Sequence, residues 1–410
     1  MTFFVLAVFA AVYLGMALGR WPGLKVDRTG IALLGALLLF GGGAIDEASV
    51  LAAIDFPTIA ILFGLMVLSA QFAASGFYDW AAGRVASSAA APGLVLGLVV
   101  VTAGGLSAVL ANDVVVFAMT PMLCRGLIAR GWDPRPFLIA LAGAANAGSA
   151  ATVIGNPQNV LIGQVGGLDF WPFLVVCGLP ALFALLAVYV SVWVIWRGRL
   201  RSATAVPPAA GESPPLDRGG VAKGGLATLL LLGLFLSPLP AASSVLLVAG
   251  LLLISRRLAT RQMLSLVDWH LLVLFAGLFV VTACLAATGL PDRALEALGG
   301  GADALGRLAL LAPISLAGSN SIGNVPLVML LLSSAPGLSD GTYYALALFS
   351  TLAGNLLLVG SLANIIVVER AAQEGVRLGF LEHARCGVPM TLLSFAGAAA
   401  WLLLTGAIRL

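Results

Sequence analysis

The chain has 410 residues, of which 60% are hydrophobic and only 10% are charged, with a formal net charge of +3. Its mean hydropathy is +1.07, a balance that excludes a water-soluble enzyme. Apolar stretches of about 20 residues, the length that crosses a bilayer, recur along the chain with short polar joints between them. The composition therefore predicts an all-α membrane protein whose partner is a lipid bilayer, and no nucleic-acid partner is expected.

In chain order, the predicted elements fall into five segments. Because residues 3–18 have neither a basic stretch before them nor a small-residue cleavage site after them, we expect a retained first helix and not a signal peptide. The segments are N-terminal scaffold helices (1–54), a first repeat with a hairpin and a broken helix (55–196), a flexible cytoplasmic linker rich in proline, glycine and charge (197–223), scaffold helices of the second half (224–267), and a second repeat with the last helix (268–410).

The placement of basic residues indicates the orientation. If the joint with Lys25 and Arg28 is cytoplasmic, all but three of the 21 Lys and Arg residues fall on cytoplasmic loops, the exceptions being Arg293, Arg307 and Arg409. This is the bias expected of cytoplasmic loops in a membrane protein. The sequence thus predicts a multi-pass protein of the cell inner or plasma membrane, with about 10–11 transmembrane segments.

An internal repeat relates the two halves. The stretch DFPTIAILFGLMVLSAQFAASGFYD, from Asp55, aligns without gaps with DWHLLVLFAGLFVVTACLAATGLPD, from Asp268. Because the charge pattern places Asp55 outside and Asp268 inside, the second copy is inverted relative to the first. Inverted repeats are typical of alternating-access transporters.

Each repeat contains interrupted elements that do not form simple spanning helices. Residues 94–123 must enter and leave on the cytoplasmic side, which predicts a re-entrant hairpin with Asn112 and Asp113 at its tip. Its counterpart, residues 308–333, enters from outside, with Asn320 and Asn324 at its tip. Broken helices follow at residues 146–159 and 351–364. Such backbone is tolerated at membrane depth only beside protein or a water-filled cavity, so we expect the four interruptions to surround one site.

Residues that restart a helix after each interruption are good N-caps. Asn112 or Asp113, Asn156, Asn324 and Ser361 fill this role in the predicted structure. Helix N-termini at the midplane favour oxygens with negative or partial negative charge, while helix C-termini offer carbonyls to a cation. The expected substrate- or ion-binding residues are Asn112, Asp113, Asn156, Asn159, Asn320, Asn324, Asn355, Ser361 and Asn364.

The motifs LANDVVVFAMTP (110–121) and SAATVIGNPQNVLIG (149–163) resemble the ion transporter superfamily. It includes the arsenite pump ArsB, silicic acid efflux carriers, NhaD-type antiporters, dicarboxylate–sodium symporters and citrate-transporter-like permeases. The resemblance implies a scaffold domain, a moving transport domain, and a site lined by asparagines of the hairpins and breaks; it is also compatible with a homodimer. Dicarboxylate symporters carry Ser-Asn-Thr at both tips, whereas this chain has Ala111-Asn112-Asp113 and Gly323-Asn324-Val325.

Asp113 is the acidic residue placed at membrane depth, where a carboxylate costs about 2.5–3.5 kcal/mol on insertion scales and is functional by default. We expect it to bind the coupling ion, H⁺ or Na⁺, with a sodium site at Asn112, Asp113 and Asn156; its alternative role is a helix N-cap. Asp55 and Asp268, which the repeat relates, are expected to be N-caps near the interface. No other cofactor is expected.

Three classes of function compete. A hydrolase would need a nucleophile with a base, paired catalytic aspartates or an HExxH motif, none of which is in the sequence, and a channel fits a lone embedded carboxylate less well. We therefore expect a secondary active transporter, not an enzyme, that moves a small weak oxyacid or oxyanion such as arsenite or silicic acid. Sodium-coupled symport of a dicarboxylate or inorganic anion is the alternative, and sodium/proton antiport the third.

Overall fold

A computed structural model describes residues 1–21, 23–202, 215–297, 301–335 and 337–409. Within these ranges the regular elements are helical, and β-pairing is limited to isolated bridges at Arg20–Asp27 and Arg307–Arg409. The all-α class predicted from the sequence is therefore confirmed. Most of the predicted linker, residues 203–214, lies outside the described residues, and the five-segment division stays a prediction.

The first half contains ten helices among its described residues. They are α1 (Thr2–Leu18), α2 (Arg28–Gly41), α3 (Glu47–Ala53), α4 (Phe56–Ala74), α5 (Phe77–Ala86), α6 (Pro92–Val109), α7 (Asn112–Ala129), α8 (Arg135–Ser149), α9 (Pro157–Gly166) and α10 (Phe170–Ser202).

The second half repeats this series of long, short and interrupted helices. It contains α11 (Arg218–Leu234), α12 (Ala241–Leu253), α13 (Thr260–Leu264), α14 (Trp269–Ala286), α15 (Leu290–Ala297), α16 (Leu308–Ser321), α17 (Asn324–Ser334), α18 (Asp340–Ala353), α19 (Leu362–Gln373) and α20 (Phe380–Leu404), with short 3-10 turns at Gly301–Gly306 and Leu358–Gly360.

Six of the described helices are long and apolar enough to cross a membrane, namely α4, α6, α7, α10, α14 and α20. In α10 the buried positions, such as Ala181, Ala184 and Val188, recur at helical spacing, yet the opposite face exposes Leu182 and Leu186. A helix that is apolar on its exposed face as well is suited to lipid and not to water. The chain is a multi-pass membrane protein.

The interrupted helices lie at the centre of the molecule. All residues from 136 to 149 of α8 and from 342 to 353 of α18 are buried. The end of α8 meets α6 backbone to backbone, since a Cβ added to Gly148 would lie 2.1 Å from the Gly104 oxygen. Only glycine fits this crossing, which brings the first break against the first hairpin.

The hairpins turn where the sequence predicts. Leu110 and Ala111 join α6 to α7, and Ile322 and Gly323 join α16 to α17. The φ angle of Gly323 is +97°, a conformation that side-chain-bearing residues rarely adopt. The breaks span residues 150–156 and 354–361, so both hairpins and both broken helices are present. Their inverted relationship stays a prediction.

Candidate functional site: the hairpin tips and helix breaks

The two broken helices are bridged in the same way. The Asn159 amide donates to the carbonyl oxygens of Ser149 (3.3 Å) and Thr152 (3.0 Å). The Asn364 amide donates to the carbonyl oxygens of Gly354 (2.8 Å) and Leu357 (3.1 Å). In both repeats, the two acceptor residues lie the same numbers of positions before the asparagine. Each asparagine therefore satisfies carbonyls that the break of its own repeat leaves without helical partners.

Side chains at the breaks also bind across the repeats. Asn146 donates to the Asn364 amide oxygen (3.2 Å), and the Thr351 hydroxyl donates to the Asn159 amide oxygen (3.4 Å). Asn146 and Thr351 stand at equal distances along the chain before the asparagines that the repeat pairs.

The N-caps of the restarted helices complete this pattern. The Ser361 hydroxyl donates to the Asn146 amide oxygen (2.9 Å), and the Asn156 amide donates to the Thr351 hydroxyl (3.3 Å). Reciprocal contacts of this kind are those of a two-fold-related pair of surfaces. We call the set Asn146, Asn156, Asn159, Thr351, Ser361 and Asn364 the crossed cluster; each of its side chains is at most 6% exposed.

Asn355, another expected site residue, joins the edge of the crossed cluster. Its amide donates to the Gly143 oxygen (3.1 Å), and its amide oxygen accepts from Asn146 (2.8 Å). The buried His383 ring nitrogen Nε2 lies 3.2 Å from the Asn355 carbonyl oxygen. No local pattern in the sequence indicates this contact.

The second hairpin tip is tied to the second break. The Asn320 amide donates to the oxygens of Leu316 and Ala353 (2.9 Å each), and its own oxygen accepts from the Leu357 N–H (3.2 Å). With its amide nitrogen toward neighbouring carbonyls, Asn324 lies 3.0 Å from the Gly360 oxygen and 3.3 Å from the Ser350 oxygen. The side-chain amides of Asn320 and Asn324 thus have hydrogen-bond partners within the protein.

The first hairpin tip is different. Asn112 is 5% exposed, and its amide oxygen has no hydrogen-bond partner among the described residues. Before it, the Ala111 N–H donates to the Ser69 hydroxyl (3.2 Å). A buried amide oxygen without a partner costs about 1–3 kcal/mol, so a ligand that satisfies it is favoured.

The structure corrects the expected N-caps of two helices. Ala111 and Gly323 stand at the cap positions of α7 and α17, and neither helix start has a side-chain cap. Asn112, Asp113 and Asn324 lie instead in the first turn, one or two positions after the N-cap position. From there their side chains do not cap the free N–H groups at the helix start. The prediction was right for Asn156 and Ser361, which cap α9 and α19, and for Asp55 and Asp268, which cap α4 and α14.

A cavity of about 50 Å³ lies beside the first tip. Its polar lining combines the predicted sodium-site residues Asn112, Asp113 and Asn156 with Asp268, and no lysine, arginine or histidine is among its lining residues. Apolar side chains such as Leu65 and Val160 complete the wall. No group of three or more His, Cys, Asp or Glu side chains suited to a metal ion occurs in the described part of the chain.

The predicted site residues therefore divide into three connected places. Asn112 and Asp113 line the cavity, Asn159, Asn355, Ser361 and Asn364 belong to the crossed cluster or its edge, and Asn320 and Asn324 close the second tip. Asn156 belongs to both the cavity and the crossed cluster. Thr351 and Asp268 were not among the predicted site residues; pairing the breaks residue by residue would have found Thr351.

An ion-pair network connects α8, α10 and α20 at one end of the molecule. Arg135 pairs with Asp133 (2.8 Å) and with Glu382, and Arg199 also pairs with Asp133. Burial opposes ionisation of Asp133, but hydrogen bonds from Arg135 and Arg199 outweigh it and lower the pKa of this carboxyl. These residues belong to the loops that the charge pattern places in the cytoplasm.

Comparison with known proteins agrees with this architecture. The model of the citrate transporter family matches residues 4–346. An uncharacterized transporter of Mycobacterium tuberculosis is 31% identical, with 98% of each chain covered. The silicon efflux transporter of Oryza sativa subsp. japonica is 29% identical, with 95% of this chain and 93% of that protein covered. Among solved structures, the YdaH transporter of Alcanivorax borkumensis has a similar fold, with a TM-score of 0.56 at 15% identity over 98% of this chain and 97% of that one.

Proposed function

Because the chain belongs to the citrate transporter family, we propose that it is a secondary active transporter that moves a small weak oxyacid or oxyanion, of the arsenite or silicic acid kind, by alternating access coupled to a proton or sodium gradient. The observation that carries this proposal is the cavity at the first tip. There the Asp113 carboxylate, the unpartnered Asn112 oxygen and Asn156 lie together.

These groups suit a monovalent cation. A carboxylate and amide oxygens are hard oxygen ligands for Na⁺, and the carboxylate alone can carry a proton. The N-cap role that competed with this function for Asp113 has no support, because α7 starts without a side-chain cap. Ion binding would offset the cost of keeping this carboxylate at membrane depth and satisfy Asn112.

The lining of the cavity also bears on the substrate. A multiply charged anion in a buried site needs basic partners, and the lining residues include none. Hydrogen-bonding amides and the N-termini of α7 and α9 suit a neutral or singly charged oxyacid better. The similarity to a silicon efflux transporter supports the same choice.

Sodium-coupled symport of a carboxylate or inorganic anion is the second candidate, because the matching family is described as citrate transporters. Sodium/proton antiport is the third, since the two carboxylates in the cavity could serve a cation alone. The reciprocal bonds of the crossed cluster support two inverted repeats that move together within a transport domain.

The test uses purified protein in proteoliposomes with imposed pH or sodium gradients. Silicic acid, arsenite, citrate and a dicarboxylate are supplied in parallel, and the Asp113→Asn variant is compared with the wild type. Asparagine keeps the size and hydrogen bonding of Asp113 but removes its charge. We expect the variant to lose gradient-driven accumulation of the oxyacid while exchange without a gradient persists.

Two results would overturn the proposal. Concentrative transport by Asp113→Asn equal to that of the wild type would remove the coupling role of Asp113. Accumulation of citrate or the dicarboxylate, without accumulation of either oxyacid, would replace the proposed substrate with that of the second candidate.

A further inference from the structure

Asp268 lies in the same cavity as Asp113, although it comes from the other half of the chain. Asp113 is partly buried at the start of α7, whereas Asp268 is exposed at the start of α14. The two carboxylates therefore line one cavity at different depths, with Asp268 nearer the surface.

Capping α14 leaves part of Asp268 available. Its Oδ1 accepts from the Leu271 N–H (3.0 Å), and its other oxygen has no hydrogen bond to the described residues. The 95% buried Asn112, whose amide oxygen has no partner, lines the same space. An unpartnered amide oxygen beside two carboxylates indicates a ligand of positive charge.

Basic residues lie near the cavity but not in its lining: α2, which packs against α14, begins with Arg28, whose Nε donates to the Met16 oxygen (3.3 Å), and α13 carries Arg261. Of the helices that contribute lining residues, α4 and α9 carry no charged residue, α14 carries only His270, and α7 carries Arg125 near its opposite end. Asp113 and Asp268 are the charged residues of the lining, and the mutual repulsion of their carboxylates favours one shared cation.

We propose that Asp268 is the second carboxylate of the coupling-ion site, binding the monovalent cation, H⁺ or Na⁺, near the surface and delivering it to Asp113. The inference rests on the proposed function. It also assigns a direction: the ion reaches Asp113 from the end of the molecule where α14 begins. The Thr29 hydroxyl at the start of α2 donates to the His270 oxygen (3.2 Å), which places this end beside the Lys25–Arg28 joint.

The repeat supplies a matched control. Asp55 caps α4 through the Thr58 N–H (2.7 Å), as Asp268 caps α14, but it is not among the residues that line the cavity. Asparagine caps helices about as well as aspartate, so Asp268→Asn and Asp55→Asn both remove a charge and keep a cap. A capping role alone predicts that these variants behave alike.

The experiment measures gradient-driven uptake as a function of Na⁺ concentration and of pH in proteoliposomes of wild type, Asp268→Asn, Asp55→Asn and Asp113→Asn. We expect Asp268→Asn to raise the half-saturating concentration of the coupling ion about tenfold or more, the loss of one charged contact. Asp55→Asn should match the wild type. Size-exclusion profiles and thermal unfolding report whether each variant is folded.

The outcomes separate the two proposals. If Asp113→Asn abolishes accumulation but Asp268→Asn and Asp55→Asn have the same ion dependence, the role of Asp268 is wrong and the proposed function stands. If Asp113→Asn accumulates substrate like the wild type, the proposed function itself fails. Should Asp268→Asn lose its fold, Asp268→Ser, which also caps without charge, takes its place in the same comparison.

Discussion

The two hairpin tips have related sequences but differ in whether their asparagine side chains are hydrogen-bonded within the protein. At the second tip, Asn324 and Asn320 bond to carbonyls and an N–H of the second break. At the first tip, the Asn112 oxygen has no partner among the described residues and a carboxylate follows it beside a cavity. The residues that follow the paired asparagines also differ, Asp113 at the first tip and Val325 at the second. The asparagines of the second tip are therefore bonded within the protein, whereas the Asn112 oxygen of the first tip is not, in line with the proposed ion site.

The largest effect is expected from exchanging the residues that distinguish the tips. Val325→Asp introduces a carboxylate at membrane depth where the tip is already closed, and should lower the free energy of unfolding by about 3 kcal/mol. Asp113→Val should raise it, by about 2 kcal/mol after loss of the favourable helix-dipole interaction. Denaturant unfolding in mixed micelles measures both changes.

Val325→Asn is the control for this exchange, because it adds a polar group without charge and should cost less than Val325→Asp. A Val325→Asp protein as stable as the wild type would mean that the second tip accepts charge as readily as the first. The contrast between the tips would then be wrong.

A second prediction concerns the breaks, where the repeats are alike. Asn159→Leu and Asn364→Leu each remove two bonds to break carbonyls and one bond across the crossed cluster. We expect each variant to lose about 2 kcal/mol of stability, because buried carbonyls lose partners. The same micelle assay should give equal values within about 0.5 kcal/mol, the usual additivity error.

Gln158→Leu is the matched control, since its amide donates only to the Thr351 hydroxyl (3.1 Å) and to no break carbonyl. It should cost about half as much as either asparagine. A loss at Asn159 several times that at Asn364 would contradict the equivalence of the two breaks.

The smallest effect on stability is expected at the tip asparagines. Asn324→Leu removes donors to the Gly360 and Ser350 oxygens and should cost about 1 kcal/mol. Asn112→Leu removes a buried oxygen that has no partner and should raise the free energy of unfolding by about 1 kcal/mol, while it raises the half-saturating concentration of the coupling ion. Unfolding and ion-dependent uptake, measured on both variants, check this opposite pattern; a destabilised Asn112→Leu with normal ion dependence would contradict it.

Local signals in the sequence were sufficient for much of the architecture. Hydropathy predicted the membrane class, and polar interruptions predicted both hairpins and both breaks. Cap chemistry identified Asn156 and Ser361, because an N-cap is defined by its immediate neighbours. The same reasoning failed at Asn112 and Asn324, which are the first helical residues, because the N-cap positions fall one residue earlier, on Ala111 and Gly323.

The remaining features depend on contacts between the two halves. Asp268 was correctly predicted as a cap, but its place beside Asp113 results from packing of α14 near α4 and the first tip, which no local pattern encodes. The bond from Thr351 to Asn159 likewise needs the packing of α9 against α18. The functional roles of the nine expected site residues stay predictions.

The crossed cluster has a mechanical consequence. Side-chain hydrogen bonds connect each broken helix to its counterpart in the other repeat, so the two breaks brace each other. A shift of one break would strain the hydrogen bonds to the other, so we expect both breaks to move as one rigid body. Under the proposed alternating-access mechanism, we therefore expect movement at the outer surfaces of this unit, where it contacts the lipid-facing helices, and not bending at the breaks themselves.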